Sequence, residues 1–410
     1  MRGTGMTPRK IWVLTSSRAD YGLLYWLLRE IDEDPALELM LVASGSHLST
    51  EFGSTVSEIE RDGFRLHRRL EILLASDSRN AMTKAMGLAL LSVGDALVED
   101  RPDLVVLLGD RFEIVPVALA AVTHGITLAH LHGGETSRGA LDEYYRHAVT
   151  KLANLHFPAT EVYRRRILQM GEDPGRVFVH GAPGIDHLYR SRTPTRAVLA
   201  RALDMPLDRP TALVTYHPVT AGTGEDEEAL IAALSRFEDL DVLVCKANAD
   251  CHGRSINARL ARWCAERPEA RRLVDSLGQR LYHGCLEHMD VLVGNSSSGL
   301  IEAPSFRRPV VNVGKRQDGR LKAGNVINVE ASEEAIAKGI ETALSETFKR
   351  SLGALSNPYD PFEDGAASRR IKNTLKRVNL DAGIREKWFF DIDEVSPLGG
   401  TSSPTKGLMG

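Results

Sequence analysis

The amino-acid sequence predicts an α/β fold: two open parallel sheets in series, facing each other across a cleft. Three observations predict it. Short apolar runs of strand length alternate with stretches of helical periodicity, the pattern of βαβ units. Several of those runs show little in–out alternation, as expected of strands covered on both faces. The series is interrupted by a polar, proline-containing stretch, Tyr189–Thr195, and a second α/β series follows it.

In the first series the expected strands are Ile11–Thr15, Leu39–Ala43, Leu104–Leu108, Ile126–His130 and Val177–His180. The expected helices are Tyr21–Ile31, Thr50–Arg61, Ala81–Glu99, Val115–His124 and Asp142–Leu155. The second series has strand patterns at Thr211–Thr215, Val242–Cys245, Val291–Val293 and Val310–Asn312. Its helical patterns are Glu225–Phe237, Ser255–Glu266, Ser298–Pro304 and Ser332–Leu344. A boundary near Arg190 gives domains 1–190 and 191–355. After Asn357-Pro358 a helical pattern at Ala366–Asn379, within 356–395, is expected to return to the first domain. The last stretch, 396–410, is small and polar and is expected to be disordered.

The length of 410 residues fits two domains, and 26% charged with 43% hydrophobic residues is ordinary for a globular chain. A net charge of −4 disfavours nucleic acid and anionic membranes as partners. No uninterrupted apolar run approaches bilayer length, and Ile11–Leu14 is too short for a signal-peptide core. Cys245, Cys251, Cys264 and Cys285 lack CxxC spacing, so they read as reduced packing residues in a cytoplasmic protein. Metal-ligand spacings, Walker A, GxGxxG and GxSxG patterns are all missing.

The chemistry lies at strand ends, where open parallel sheets bind ligands. Leu104–Leu108 runs into Asp110 and Arg111, and Asp110 reads either as a cap for the next helix or as a functional carboxylate. Ile126–His130 runs into His132, Gly133, Gly134 and Glu135, where paired glycines permit close approach of a ligand. Asp142, Arg146 and His147 follow on a helix. So many titratable groups on neighbouring strand ends suit acid–base catalysis. In the second series, Ser296, Ser297 and Glu302 follow a strand, either as a serine-rich cap or as a phosphate and ribose site. Arg316 brings a cation to the same edge. Arg18 is either a solvated loop arginine or a diphosphate contact from the opposite domain. His47 is a further candidate for substrate binding, and His217 ends strand Thr211–Thr215 as a cleft candidate.

Six segments occur in order: TSSRADYG at 15–22, LGDRFEI at 108–114, HLHGGE at 130–135, RHAVTKLA at 146–153, YHPVT at 216–220 and GNSSSGLIE at 294–302. Together they resemble the hydrolysing UDP-N-acetylglucosamine 2-epimerases. The similarity runs from about Lys10 to about Asp391 and is closest to the bacterial enzymes of sialic-acid and legionaminic-acid synthesis. The resemblance implies a glycosyltransferase-B-like fold of two Rossmann-like domains. It places the catalytic carboxylates on Asp110 and Asp142 and the motif histidine on His217. It places UDP contacts on Arg18, Ser296, Ser297, Glu302 and Arg316. His132 stands where the vertebrate-type relatives carry a catalytic glutamate, so that role falls to His132 or to Glu135.

The implied reaction converts UDP-N-acetylglucosamine and water to N-acetylmannosamine and UDP. Elimination of UDP gives a 2-acetamidoglucal, and hydration with reprotonation inverts C2. No cofactor is needed, because neither carbon changes net oxidation state through a ketone. UDP-N,N′-diacetylbacillosamine, a GDP-linked N-acetylhexosamine and glycosyl transfer on the same fold are the alternatives. A homodimer or homotetramer is expected.

Overall fold

Strand order decides where this chain can bind a ligand. The computed structural model describes residues 7–50, 54–74, 76, 78–137, 141–217, 225–246, 253–275 and 277–391. Within them the first sheet contains β1 (Arg9–Thr15), β2 (Leu37–Ser44), β3 (Leu66–Leu70), β4 (Leu104–Leu108), β5 (Thr127–Leu131) and β6 (Leu155–Phe157). The second contains β7 (Thr211–Thr215), β8 (Asp241–Cys245), β9 (Arg271–Val274), β10 (Val291–Gly294), β11 (Val310–Val313) and β12 (Val326–Val329). The sheets run β3-β2-β1-β4-β5-β6 and β12-β11-β10-β7-β8-β9. Read from β9, the second order repeats the first, and both are the dinucleotide-fold order. All pairings are parallel, for example Val13 with Leu41 on one side and Val106 on the other.

The interior strands are buried on both faces. Ile11 and Val13 join one hydrophobic cluster, and Trp12 and Leu14 join another across the sheet. Val214 and Leu213 divide in the same way in the second sheet. This is why these strands read as continuous apolar runs. The expected strand at Val177–His180 does not form, and Val177 makes only an isolated bridge to His156. The edge position belongs instead to β6, which pairs His156 with His130. The helix before it ends at Leu152 because Ala153 is extended and Asn154 turns its side chain onto the Leu128 amide.

Helix Arg79–Asp100 is long and apolar without an unbroken apolar run. By length and composition it is apolar enough to cross a bilayer, since scattered Gly, Ala and Leu raise its hydropathy. Here it packs on helix Ile114–Thr123 and buries a stripe of Ala81, Ala85, Ala89, Val93, Ala96 and Leu97. Cys264 and Cys285 are buried and Cys245 is half-buried, all with free thiols. Cys251, Met1–Met6 and the segment 396–410 lie outside the described residues.

After the second sheet the chain crosses back. Helix Ala367–Arg377 lies on helix Arg18–Asp32, and its Ile371 and Leu375 sit in the first sheet's core. Lys372 and Lys376 reach Asp34 at 3.0 and 2.7 Å. Because Leu375 is wholly buried, Leu375→Ala leaves a cavity and destabilises the first unit by about 2–5 kcal/mol. Urea unfolding followed by tryptophan fluorescence measures this, and an unchanged midpoint would show that the helix does not stabilise that core.

Candidate active site

In both sheets the order reverses at the centre, between β1 and β4 and between β7 and β10. Connections leave those strand pairs toward opposite faces and open a crevice at their carboxyl ends. The β1 end is organised by Asp20. Its carboxylate accepts from the Ser16 and Ser17 amides at 2.8 and 2.7 Å and completes a capping box for helix Arg18–Asp32. Arg18 opens that helix with its side chain 37% exposed and 3.4 Å from Glu58. Its guanidinium lies 3.4 Å from where a side chain on Gly278 of the second unit would begin. His47 requires a correction. It is fully buried, and its two ring nitrogens meet Thr15 and Thr55 at 2.9 and 2.8 Å. Both ring nitrogens are engaged within the protein, so it braces the loop between Thr15 and Thr55.

The β4 end carries Asp110, which does not cap a helix. The next helix, Ile114–Thr123, starts at Glu113 without a side-chain cap. Asp110 instead ion-pairs with Arg146 and accepts from the Ser137 hydroxyl at 3.1 Å. Arg146 is 2% exposed and also donates to Ser137 at 3.0 Å. Asp142 begins the same helix, Asp142–Leu152. Burial and the Asp110 charge push its carboxyl up to about 6, against the pull of Arg111 and Arg146. Arg111 itself pairs with Glu113 at 2.8 Å. His147 pairs with Glu143 at 3.3 Å on the exposed side of the helix.

At the β5 end His132 is buried with φ +62°, a left-handed conformation uncommon for a non-glycine residue. Its Nδ1 lies 2.6 Å from Glu135 Oε1. The glycines after it serve packing. A Cβ on Gly134, at φ +77°, would stand 2.4 Å from the Tyr163 carbonyl, so the close approach is by helix Glu161–Gln169 and not by a ligand. Burial raises the Glu135 carboxyl, but the contact with His132 and the charges of Arg320 and Arg146 outweigh it and hold Glu135 down to about 2.

Across the cleft, Asn295 holds the β7 and β10 ends together. It accepts from the His217 amide at 2.7 Å and donates to the His217 carbonyl at 2.8 Å. The Asn295 carbonyl accepts from Arg316 at 3.0 Å and from Gln317 at 2.8 Å. Pro218–Thr220 of the YHPVT segment lie outside the described residues. Ser296 Oγ is 3.1 Å from Ser298 Oγ, which also meets the Tyr282 hydroxyl. Ser297 precedes a helix of four residues, Ser298–Ile301, without capping it through its side chain. The expected helix breaks at Glu302 ahead of Pro304, and a 3₁₀ turn Ala303–Phe306 follows. Glu302 stands 3.3 Å from the buried His283.

One seam closes the two units on each other. Arg320 donates to the Thr136 carbonyl at 2.9 Å and lies 4.0 Å from Glu135. Arg166 bridges the carbonyls of Gly134 and Gly319 at 3.1 and 3.0 Å. The Tyr163 hydroxyl accepts from the Leu321 amide at 2.9 Å and meets Tyr359 at 2.7 Å. Asp20, Asn295 and Arg320 are the residues that sequence reasoning missed. Only Asp20 left a local signal, as the fourth residue of a Ser-x-x-Asp cap.

Two dinucleotide-order sheets, with titratable groups on one cleft wall and a serine, glutamate and arginine set on the other, define an α/β protein of glycosyltransferase-B-like architecture. The family model described as UDP-N-acetylglucosamine 2-epimerase matches residues 29–376, and the chain belongs to that family. It is 38% identical to the Campylobacter jejuni GDP/UDP-N,N′-diacetylbacillosamine 2-epimerase (hydrolyzing), over 94% of this chain and 100% of that one. It is 36% identical to the UDP-N,N′-diacetylbacillosamine 2-epimerase (hydrolyzing) of Legionella pneumophila, over 92% and 98%. The fold matches the UDP-GlcNAc 2-epimerase of Neisseria meningitidis bound to UDP-GlcNAc, with TM-score 0.77 at 17% identity over 89% and 99%.

Asp142 generates a pH prediction. Folding raises its carboxyl from 3.8 to about 6, so the native state takes up a proton between those values. The stability this proton confers is complete below the lower value and is lost as pH rises through the upper one. Asp142→Asn removes the loss, so its gain in Tm over wild type is larger above the window than below it. Differential scanning fluorimetry measures the gain, and an equal one at both ends would place Asp142 in ordinary solvent.

Proposed function

We propose that this chain is a hydrolysing 2-epimerase that converts UDP-N-acetylglucosamine and water to N-acetylmannosamine and UDP. The observation that carries the reading is the pair of neighbouring carboxyls in unlike surroundings. Asp110 is ion-paired to the buried Arg146, while Asp142 beside it is pushed up to about 6. Two neighbouring carboxyl groups, one ion-paired and one with its proton held by burial, supply a base and an acid to one substrate. In this reading residues 1–190 bring the acid–base groups and 191–355 the nucleotide contacts, with 356–395 closing back onto the first unit.

The C2 proton goes to a base among Asp110, Asp142 and His132. The anomeric C–O bond breaks, and the diphosphate leaves with its charge met by Arg18, Arg316, Ser296 and Ser297. Glu302 takes the ribose hydroxyls, and Arg111 and His217 are further substrate contacts. Water then adds to C1 of the 2-acetamidoglucal, and a proton returns to the opposite face of C2. Atoms balance as one water consumed for one UDP released, with no oxidant or reductant.

A second reading is the same reaction on UDP- or GDP-linked N,N′-diacetylbacillosamine. The relatives at 38% and 36% identity carry that sugar in their names. Either product suits a cytoplasmic route to sialic-type acids. We also propose a homo-oligomer. Helices Arg79–Asp100 and Ile114–Thr123 expose Leu90, Leu91, Val98, Leu119 and Val122, an apolar surface that a second copy would cover.

Four experiments test these proposals. In D₂O with ¹⁸O-labelled water, the released sugar carries deuterium at C2 and ¹⁸O at C1, and UDP carries no label. Label in UDP would mean attack at phosphorus, and turnover that requires an added acceptor would mean a glycosyltransferase. Turnover of the three donors side by side, read by proton NMR, identifies the sugar. Asp110→Asn lowers kcat by about 10²-fold or more, whereas Glu302→Ala mainly raises KM. Loss of the Asp110 charge exposes the fold to a cost of about 3–5 kcal/mol for the buried Arg146, so UDP binding of the variant is measured first. A well-bound Asp110→Asn with wild-type kcat would end this assignment. Leu91→Lys yields a smaller species by light scattering, and an unchanged mass would move the interface elsewhere.

A further inference from the structure

His132 has features that acid–base chemistry alone does not explain. Its backbone holds a left-handed conformation that is unfavourable for a non-glycine residue, so the surroundings impose the placement of this ring. Its Nε2 is buried without a hydrogen-bond partner among the described residues, a polar atom whose pairing is left open. Its Nδ1 is held at 2.6 Å by Glu135. Glu135 is itself buried, and its second oxygen faces Arg320 at 4.0 Å. Arg320 comes from the other unit and is anchored by the Thr136 carbonyl and, at 3.4 Å, by Ser137 Oγ.

An ionised carboxylate can only accept hydrogen bonds. A neutral His132 must therefore carry its proton on Nδ1 and present a lone pair at Nε2. We infer that Glu135 and Arg320 are a positioning pair built across the domain seam, Glu135 fixing the tautomer of His132 and Arg320 holding Glu135 in place, so that the His132 base is complete only when the cleft is closed. The inference rests on the proposed role of His132 and takes Glu135 out of the set that touches substrate. The segment that delivers Arg320 also delivers Arg316 and Gln317 to the Asn295 carbonyl.

The other charged or titratable groups around the dyad come from every neighbouring element. Arg146 belongs to helix Asp142–Leu152, Asp110 to the β4 end and His130 to β5, while Tyr163 and Tyr359 line the seam. Burial lowers the His130 imidazole to about 3, so it stays neutral, and its Nε2 meets the Gly109 carbonyl at 2.8 Å. The seam tyrosines are pushed up by burial and by Glu135, so they stay protonated. Glu135 is the anion that meets the ring directly.

The test uses the full chain labelled with ¹⁵N in its histidine rings, with His132→Asn to identify the signal, because asparagine tolerates the left-handed backbone. Wild-type His132 is expected in the Nδ1–H tautomer. Glu135→Gln can donate to Nδ1, so the signal moves to the Nε2–H tautomer, and kcat falls by about 10²–10⁴-fold with KM and UDP affinity unchanged. Arg320→Met gives a mixture of tautomers and lowers kcat in the same way, and Arg320→Lys recovers part of both. A wild-type Nε2–H tautomer overturns the inference, as does a Glu135→Gln variant that loses melting temperature but keeps tautomer and kcat. Full kcat in a well-folded His132→Asn overturns the role of His132 in the reaction, a separate failure that leaves the tautomer result standing.

Discussion

A parallel sheet cannot carry its chain from one strand to the next on the same side without crossing to one face or the other. Where the direction of winding reverses, the two connections part and the strand ends between them lie open. This chain uses the constraint twice, and nearly every group of chemical interest follows from it. Arg18 and Asp110 follow β1 and β4, while His217 and Asn295 follow β7 and β10. The sheets supply rigid ends, so residues just past each strand hold their side chains in fixed places.

The rest of the site depends on how buried cations set the state of buried carboxylates. Arg146 engages Asp110 and Ser137 at once, which ties the β4 end to the helix that starts with Asp142. Asp142 is close enough to feel the Asp110 charge but has no direct ion pair of its own among the described residues, so its proton affinity rises. Glu135 is more deeply buried yet moves the opposite way, because His132 and Arg320 flank it. Burial alone would have raised both. Their different partners make them different.

Legibility in the sequence followed the same physics. The eight interior strands stand out as apolar runs because both of their faces meet core. The four strands missed, β3, β6, β9 and β12, are the four edges. Leu66–Leu70 and Arg271–Val274 carry arginines and alternate or open to solvent, as edge strands do. The three-residue β6 was absorbed into the helix before it. Asp110, His132, Asp142 and Ser296 were visible because a strand end marks its own successor residues. Arg320 and Asn295 were not, since their meaning lies in contacts with segments far along the chain. His47 misled because a histidine near a strand end looks the same whether it faces the cleft or, as here, a pair of threonines.

The returning helix has a consequence for how the molecule is made. Ile371 and Leu375 complete a core whose other members lie between Ile11 and Phe157. During synthesis, then, the first sheet emerges long before the residues that seal it. The ribosome must deliver the entire second unit before the helix Ala367–Arg377 can cover helix Arg18–Asp32. The second sheet has no such debt, since its clusters draw on residues between Leu199 and Ala343. The unit translated second can therefore finish first, and the strand ends that carry Asp110 and His132 gain their final support only after the second sheet already stands.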